Sequence, residues 1–285
     1  MNIIEFTEKY NTFYSPLHDW VKECTLLYYE RDFLNSLMDN KFTINLHSRQ
    51  MNITQLMAAY AAYNLIFGDE ESIVYLSCKN DLSKRFVERV RLIIQNYIEK
   101  NNLKEDEFIA INNQQKIVLC NGNIFAGKSA TIDATRGYTL TKLLIDNAGH
   151  IDNLEVIYSA LIPSLASRNS NIHMAGQPNG ITFFTKLATE DNNYKKLKYH
   201  YTLNPIRFNP ENIKMIRKNI SNEKLWQEEM ELKFIEVDKP NKRNIVQFRI
   251  PDTLYNDVAK RLMELDCSLS DYMRRLIEKD LQPSK

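Results

Sequence analysis

Two stretches of this chain carry residues able to hold phosphate. GNIFAGKSA places Gly122, Gly127, Lys128 and Ser129 at the offsets of a GxxxxGKS loop, in which amides cradle phosphate, the lysine neutralises it and the hydroxyl holds Mg²⁺. HSRQMNITQ lies between the apolar run FTINL and the helix-forming ITQLMAAYAAYNLIF, so Ser48, Arg49, Gln50, Asn52, Ile53 and Thr54 fall in a strand-to-helix loop. Asp146, a carboxylate suited to Mg²⁺, ends the buried-strand pattern KLLID, with Asn147 after it. A phosphate loop needs a helix behind it, because the first helical amides point at the anion. After Ser129 comes ATIDATRG, β-branched and then interrupted by Gly137, which supports no useful helix. Asn121-Gly122 is the signal of a type I′ hairpin turn. GNIFAGKSA therefore reads as a hairpin arm with Lys128 on the surface, and SRQMNITQ is the loop with the right architecture.

The elements that must position these residues alternate. FTINLHS, SIVYLSC, KLLIDNAG and NIHMAGQ read as buried strands; ITQLMAAYAAYNLIFG, NDLSKRFVERVRLIIQNYIEK and LEVIYSALIPSLAS read as helices. This predicts an α/β fold with a mainly parallel sheet and flanking helices. The pattern fades after about residue 205; residues 209–237 look helical, and VDKPNKRN is a polar linker. The predicted division is a domain over 1–237, a linker over 238–243 and a small domain over 244–285.

The order of motifs over about residues 14–237 resembles the large terminase subunit of tailed phages, the ATPase motor that packages DNA. SRQMNITQ is similar to that family's S-R-Q-x-G-K-[ST]-T phosphate loop, YYERDFL to its adenine-proximal segment, KLLIDN to its Walker B strand, GQPNG to its coupling motif and LWQEEMELKF to its closing segment. The resemblance implies a P-loop NTPase-like fold, and it also marks departures. Ile53 stands where the family has its phosphate-neutralising Lys, and Asn52 where it has Gly. Asn147 replaces the Glu that polarises the attacking water; an amide cannot serve as that base, whose contribution is typically about 10² to 10⁴ in rate. Glu30 replaces the Gln that reads adenine, and an ionised carboxylate only accepts hydrogen bonds. The expectation is a degenerate nucleotide site at Glu30, Ser48, Arg49, Gln50, Asn52, Ile53, Thr54, Asp146 and Asn147. It would have no catalytic residues, no ATP or Mg²⁺ cofactor and no metal, and the protein would not be an enzyme. The alternative is a residual DNA-dependent ATPase with Arg49 standing in for the lost Lys.

The C-terminal stretch NIVQFRIPDTLYNDVAKRLMELDCSLSDYMRRLIEKDL changes character. Ile245, Gln247 and Arg249 alternate with Val246, Phe248 and Ile250; Pro251 opens an amphipathic helix, and Ser268-Leu-Ser-Asp271 caps a second one. So short a segment cannot bury a core alone, which predicts dimerisation. The pattern resembles a ribbon-helix-helix DNA-binding domain. By that resemblance Ile245, Gln247 and Arg249 face bases, the amides of Ser268, Leu269 and Ser270 grip phosphate, and Lys242 and Arg243 add backbone contacts.

Composition is that of a folded globular chain: 285 residues, 44% hydrophobic, 26% charged, net charge +1, which argues against a general nucleic-acid coat. Cys24, Cys78, Cys120 and Cys267 are scattered, without zinc or disulfide spacing. No apolar run suits a membrane span. The resulting expectation is a non-enzymatic, sequence-specific binder of double-stranded DNA from a phage or mobile element, acting in packaging or transcription repression in the host bacterial cytoplasm. It would be a homodimer or higher oligomer, with a phage packaging protein as a further partner. A structural partner-binding protein with no DNA role is the other alternative.

Overall fold

The computed structural model describes residues 1–11, 25–166, 170–220 and 222–235, together with the helical residues 257, 258, 261, 262, 265, 272, 273 and 276. The chain divides into two units, Met1–Val237 and Asp238–Lys285. The first contains α1 (Ile3–Tyr10), α2 (Tyr28–Asp39), β1 (Phe42–His47), α3 (Ile53–Phe67), β2 (Ser72–Ser77), α4 (Asn80–Lys100) and a single turn, α5 (Glu105–Phe108). There follow β3 (Ile109–Asn112), β4 (Lys116–Leu119), β5 (Ile124–Ser129), β6 (Lys142–Ile145), α6 (Leu154–Ala166) and β7 (Asn171–Gly176). α7 (Phe183–Thr189), β8 (Lys195–Tyr199), α8 (Pro210–Asn219) and α9 (Glu223–Glu229) complete it.

The strands form one sheet in the order β3-β4-β5-β2-β6-β7-β1-β8. Pairing is parallel from β5 across to β8, while β4 runs antiparallel to both β3 and β5. Helices cover both faces, which is why the central strands read as nearly continuous apolar runs. One face packs Tyr75, Phe125 and Ala175 against α1 to α4, and the other packs Ile44, Leu76 and Ile145 against α6 and α7. α3 lies close to the sheet because Ala58, Ala59, Ala61 and Ala62 present almost no bulk; all four are buried. α4 is amphipathic, burying Phe86, Val87, Val90, Ile93, Ile94 and Ile98 along one stripe. Among the described residues no helix is long and apolar enough to cross a membrane.

Two expectations from sequence need correction, and one strand is added to them. The β4–β5 hairpin exists, but among its loop residues only Gly122 has positive φ (88°), whereas a type I′ turn needs two such residues. The Gly122 amide donates to Leu119 O at 3.0 Å and the Leu119 amide to Asn123 O at 3.0 Å, so the loop is longer by one residue, with glycine at its left-handed position. Residues 209–237 are not one helix: α8 ends at Asn219, α9 starts at Glu223, and residues 231–235 are not helical. β8 is a strand that the sequence pattern does not announce; its exposed Lys195, Lys196 and Lys198 guard the sheet edge, and that charge hides the alternation of buried Leu197 and Tyr199.

A buried polar network crosses the core between β1, β6, β7 and α3. His173 lies between Thr43 Oγ1 (2.9 Å from Nδ1) and Tyr60 OH (3.1 Å from Nε2). Burial, aided by the Lys142 charge, drives the His173 pKa down to about 3, so the ring is neutral in the folded protein. The unfolded chain takes up this proton as pH falls below about 6.5, and the native state does not do so until about 3. Stability from this group is therefore present above about pH 6.5 and lost as pH falls, at about 1.4 kcal/mol per pH unit. Urea unfolding at about pH 7.5 and about pH 4.5 should show that loss, with a shallower slope in His173→Gln; an unchanged slope would contradict the assignment.

The second unit is described at Asp257, Val258, Arg261, Leu262, Leu265, Tyr272, Met273 and Leu276, all helical. Val258, Leu262, Tyr272 and Met273 are half-buried, and Leu265 and Leu276 are exposed. The base-facing and phosphate-gripping residues expected from sequence, Lys242, Arg243, Ile245, Gln247, Arg249, Ser268, Leu269 and Ser270, lie outside the described residues.

Candidate functional site

The residues of SRQMNITQ leave the C-terminal end of β1 and enter α3. Asp146 follows β6, which is separated from β1 by β7 alone. Thr54, in the first turn of α3, donates its hydroxyl to Asp146 Oδ2 at 2.7 Å, so the loop and the carboxylate expected from sequence do meet. Tyr75 OH also donates to Oδ2 (3.2 Å), and the Asn147 amide donates to Oδ1 (2.8 Å). Asp146 is thus fully buried with three donors from its own chain. Burial and the neighbouring Asp146 charge push the Tyr75 hydroxyl well above its ordinary pKa, which keeps it a donor.

The loop takes up left-handed backbone without glycine. Gln50 (φ 65°) and Asn52 (φ 58°) are both left-handed, and Asn52 is the N-cap of α3. Asn tolerates this region better than most residues. A second contact holds it there: Asn52 Nδ2 donates to Glu30 Oε1 at 3.2 Å. Glu30 Oε2 meanwhile accepts from the Leu27 amide at 2.9 Å, closing the first turn of α2, and the residue is buried. Glu30 therefore braces the loop from below. Ile53 is buried in the core cluster with Met51, Leu56 and Met57.

Arg49, the loop's cation, is engaged. Its guanidinium Nη1 donates to both carboxylate oxygens of Glu229, at 3.0 and 2.8 Å, and its amide donates to Glu229 O at 2.8 Å. Ser48 Oγ donates to Met230 O (2.6 Å) and accepts from the Tyr201 amide (2.9 Å). The end of α9 is anchored in turn. Glu228 Oε1 accepts from the Gly180 amide at 3.0 Å, and Glu231 accepts from Trp226 Nε1 at 3.1 Å and from Tyr201 OH at 3.2 Å. Sequence reading misses this clasp, whose partners lie 180 positions from Arg49. Only the presence of Glu229 in LWQEEMELKF hints at it.

His47 and Gln177 join the loops after β1 and β7. His47 Nδ1 lies 2.9 Å from Ser48 O, which can only accept, so Nδ1 carries the proton and Nε2 is free to accept from Gln177 Nε2 at 3.4 Å. Burial lowers the His47 pKa and holds the ring neutral. Above the loop lies an open cleft of about 810 Å³ whose lining includes Lys79, Arg89, Arg207 and Asp152 beside Arg49 and Glu229.

GNIFAGKSA takes no part in this. Its residues 124–129 form β5, paired parallel to β2 and antiparallel to β4. Gly127 is required by packing: a Cβ there would lie 2.6 Å from Val87 Cγ2 and 2.9 Å from Ser83 O on α4. Lys128 is half-buried, not solvated as its type suggests, and its carbonyl accepts from Ser83 Oγ at 2.7 Å.

No protein-family model matches the chain. Comparison with solved structures finds phage large terminases. The ATPase domain of the Thermus phage P74-26 large terminase matches with a TM-score of 0.57 at 16% identity, over 71% of this chain and 93% of that one. The large terminase of bacteriophage HK97 matches at 0.61 and 15% identity, over 81% of this chain and 54% of that one. A large terminase from a thermophilic bacteriophage, solved in complex with ADP, matches at 0.56 and 11% identity, over 74% of this chain and 54% of that one. The matched region thus spans about half of the latter two proteins. At these identities the likeness is one of fold, and the fold is that of a terminase ATPase domain.

Proposed function

We propose that this chain is a phage packaging-related protein that recognises a particular double-stranded DNA sequence as a dimer and keeps an ATPase-type fold without ATP turnover. The fold family implies ATP with Mg²⁺, and the residues present do not fit them. The lysine position is an apolar, buried Ile53, and the position after Asp146 is an amide. Glu30 is turned inward onto Asn52, away from any base-reading role. The observation that carries the reading is the bidentate grip of Glu229 on Arg49, because Arg49 is the residue the alternative of a surviving ATPase would need.

DNA recognition rests on the C-terminal resemblance. Helical residues on both sides of the expected turn, with Leu265 and Leu276 exposed, support a unit that needs a second copy to cover its apolar face. Gln247 and Arg249 are suited to adenine and guanine edges, and Arg against guanine contributes about 1–3 kcal/mol of discrimination per base pair. Binding selection with full-length protein should enrich one palindromic site, and Arg249→Ala should weaken it about 10- to 100-fold while leaving the salt slope nearly unchanged. Enrichment of no sequence, or equal binding by Arg249→Ala, would instead favour a partner-binding protein with no DNA role. A selected site near a packaging origin or in a promoter separates packaging from repression.

A further inference from the structure

The two edges of the sheet are built differently. At one end β3 is interrupted by a register shift between Ile109 and Ile111, an irregularity that blunts an edge against further pairing. At the other end β8 runs in unbroken register with β1 from Lys195 to Tyr199 and, among the described residues, pairs with no other strand. The Ser48 amide donates to Tyr199 O at 2.9 Å, which fixes the parity of this ladder: Lys195, Leu197 and Tyr199 turn their backbone groups toward β1. Successive residues of a strand turn those groups to opposite sides, so the N–H and C=O of Lys196 and Lys198 point outward.

The side chains restrict what this edge can accept. Leu197 and Tyr199 are buried on the face packed by α1 to α4, so Lys196 and Lys198 stand on the opposite face, both exposed. Lys196 Nζ also donates to Glu190 O. A second copy of β8 would set lysine against lysine, and like charges across a strand pair are destabilising. Nucleic acid answers the charge, but phosphate only accepts hydrogen bonds and would leave the two outward carbonyls without donors. A strand with carboxylates at alternate positions answers both requirements: its backbone continues the ladder and its acids meet the lysines. We propose that β8 is a docking edge for an extended acidic segment of a partner protein, added as a further strand with alternate Asp or Glu side chains against Lys196 and Lys198. This partner is additional to the DNA proposed for the second unit.

The test uses the full-length chain labelled with ¹⁵N-lysine and, as probe, a capped peptide of about nine residues alternating Glu and Val, a typical strand length. With peptide bound, amide hydrogen exchange should slow about tenfold or more at Lys196 and Lys198, and stay unchanged at Lys186, whose amide is already bonded to Thr182 O within α7. Lys196→Glu/Lys198→Glu, with folding checked by circular dichroism, should weaken peptide binding about tenfold or more and improve binding of the Lys–Val counterpart. Methylating the peptide's ladder-facing amides keeps its charge and should also weaken binding about tenfold or more. Unchanged exchange at Lys196 and Lys198 with about 1 mM peptide, or equal binding by the methylated peptide, would overturn the docking edge. So would double-stranded DNA of matched charge that binds wild type more tightly than the peptide and loses that binding in the double variant, which makes the edge a nucleic-acid contact.

Discussion

Glu71→Ala is expected to destabilise the α/β unit by about 3–5 kcal/mol, because it leaves the Lys142 ammonium buried without its partner. Both side chains are buried, Lys142 on β6 and Glu71 immediately before β2, and they form an ion pair. Thr141 Oγ1 also donates to Glu71 and accepts from the Ser72 amide at 3.0 Å, so the carboxylate ties β6 to the start of β2. The Glu71 amide donates to Asn123 Oδ1 at 2.7 Å, and that backbone contact should survive the substitution. The loss is therefore assigned to the uncompensated charge. Urea denaturation at neutral pH measures it, and Glu71→Ala/Lys142→Met should recover much of the stability. A single variant within about 1 kcal/mol of wild type would show that Lys142 finds water or another partner when Glu71 is gone.

The wild-type chain is expected to show no ATP turnover, with or without DNA. On the proposed reading, each departure from the terminase motifs would remove a different part of phosphoryl-transfer catalysis. Ile53 would supply no charge to the β and γ phosphates, and Asn147 would supply no base, a loss of about 10² to 10⁴ in rate by itself. Arg49 could compensate for the first loss only by leaving Glu229, and nothing in the loop compensates for the second. Thr54 and Asp146 are in mutual contact. The contact fastens the start of α3 to the end of β6 across the intervening β7.

The sheet was legible because parallel strands buried on both faces write themselves as apolar runs, and SIVYLS and KLLI do so. The loop was legible for the same reason: a strand, a short polar stretch and an Ala-rich helix follow one another around SRQMNITQ. GKS misleads by letters alone, and the missing helix after it is the deciding sign. The remainder was hidden for identifiable causes. β8 is an edge strand whose lysines mask its period. Asn52 reads as a loss because glycine is the easy residue at positive φ, whereas here Asn52 itself has positive φ and is braced on Glu30. The Arg49–Glu229 fork joins residues remote in sequence, and no local pattern marks such a pair.

The central claim is an ATPase fold retained without its chemistry, and steady-state phosphate release from purified full-length chain tests it most directly. The assay runs with saturating ATP and Mg²⁺, with and without double-stranded DNA, beside Asp146→Ala. The account predicts release at the no-enzyme background in wild type and variant alike. Turnover above background that is abolished by Asp146→Ala would contradict it.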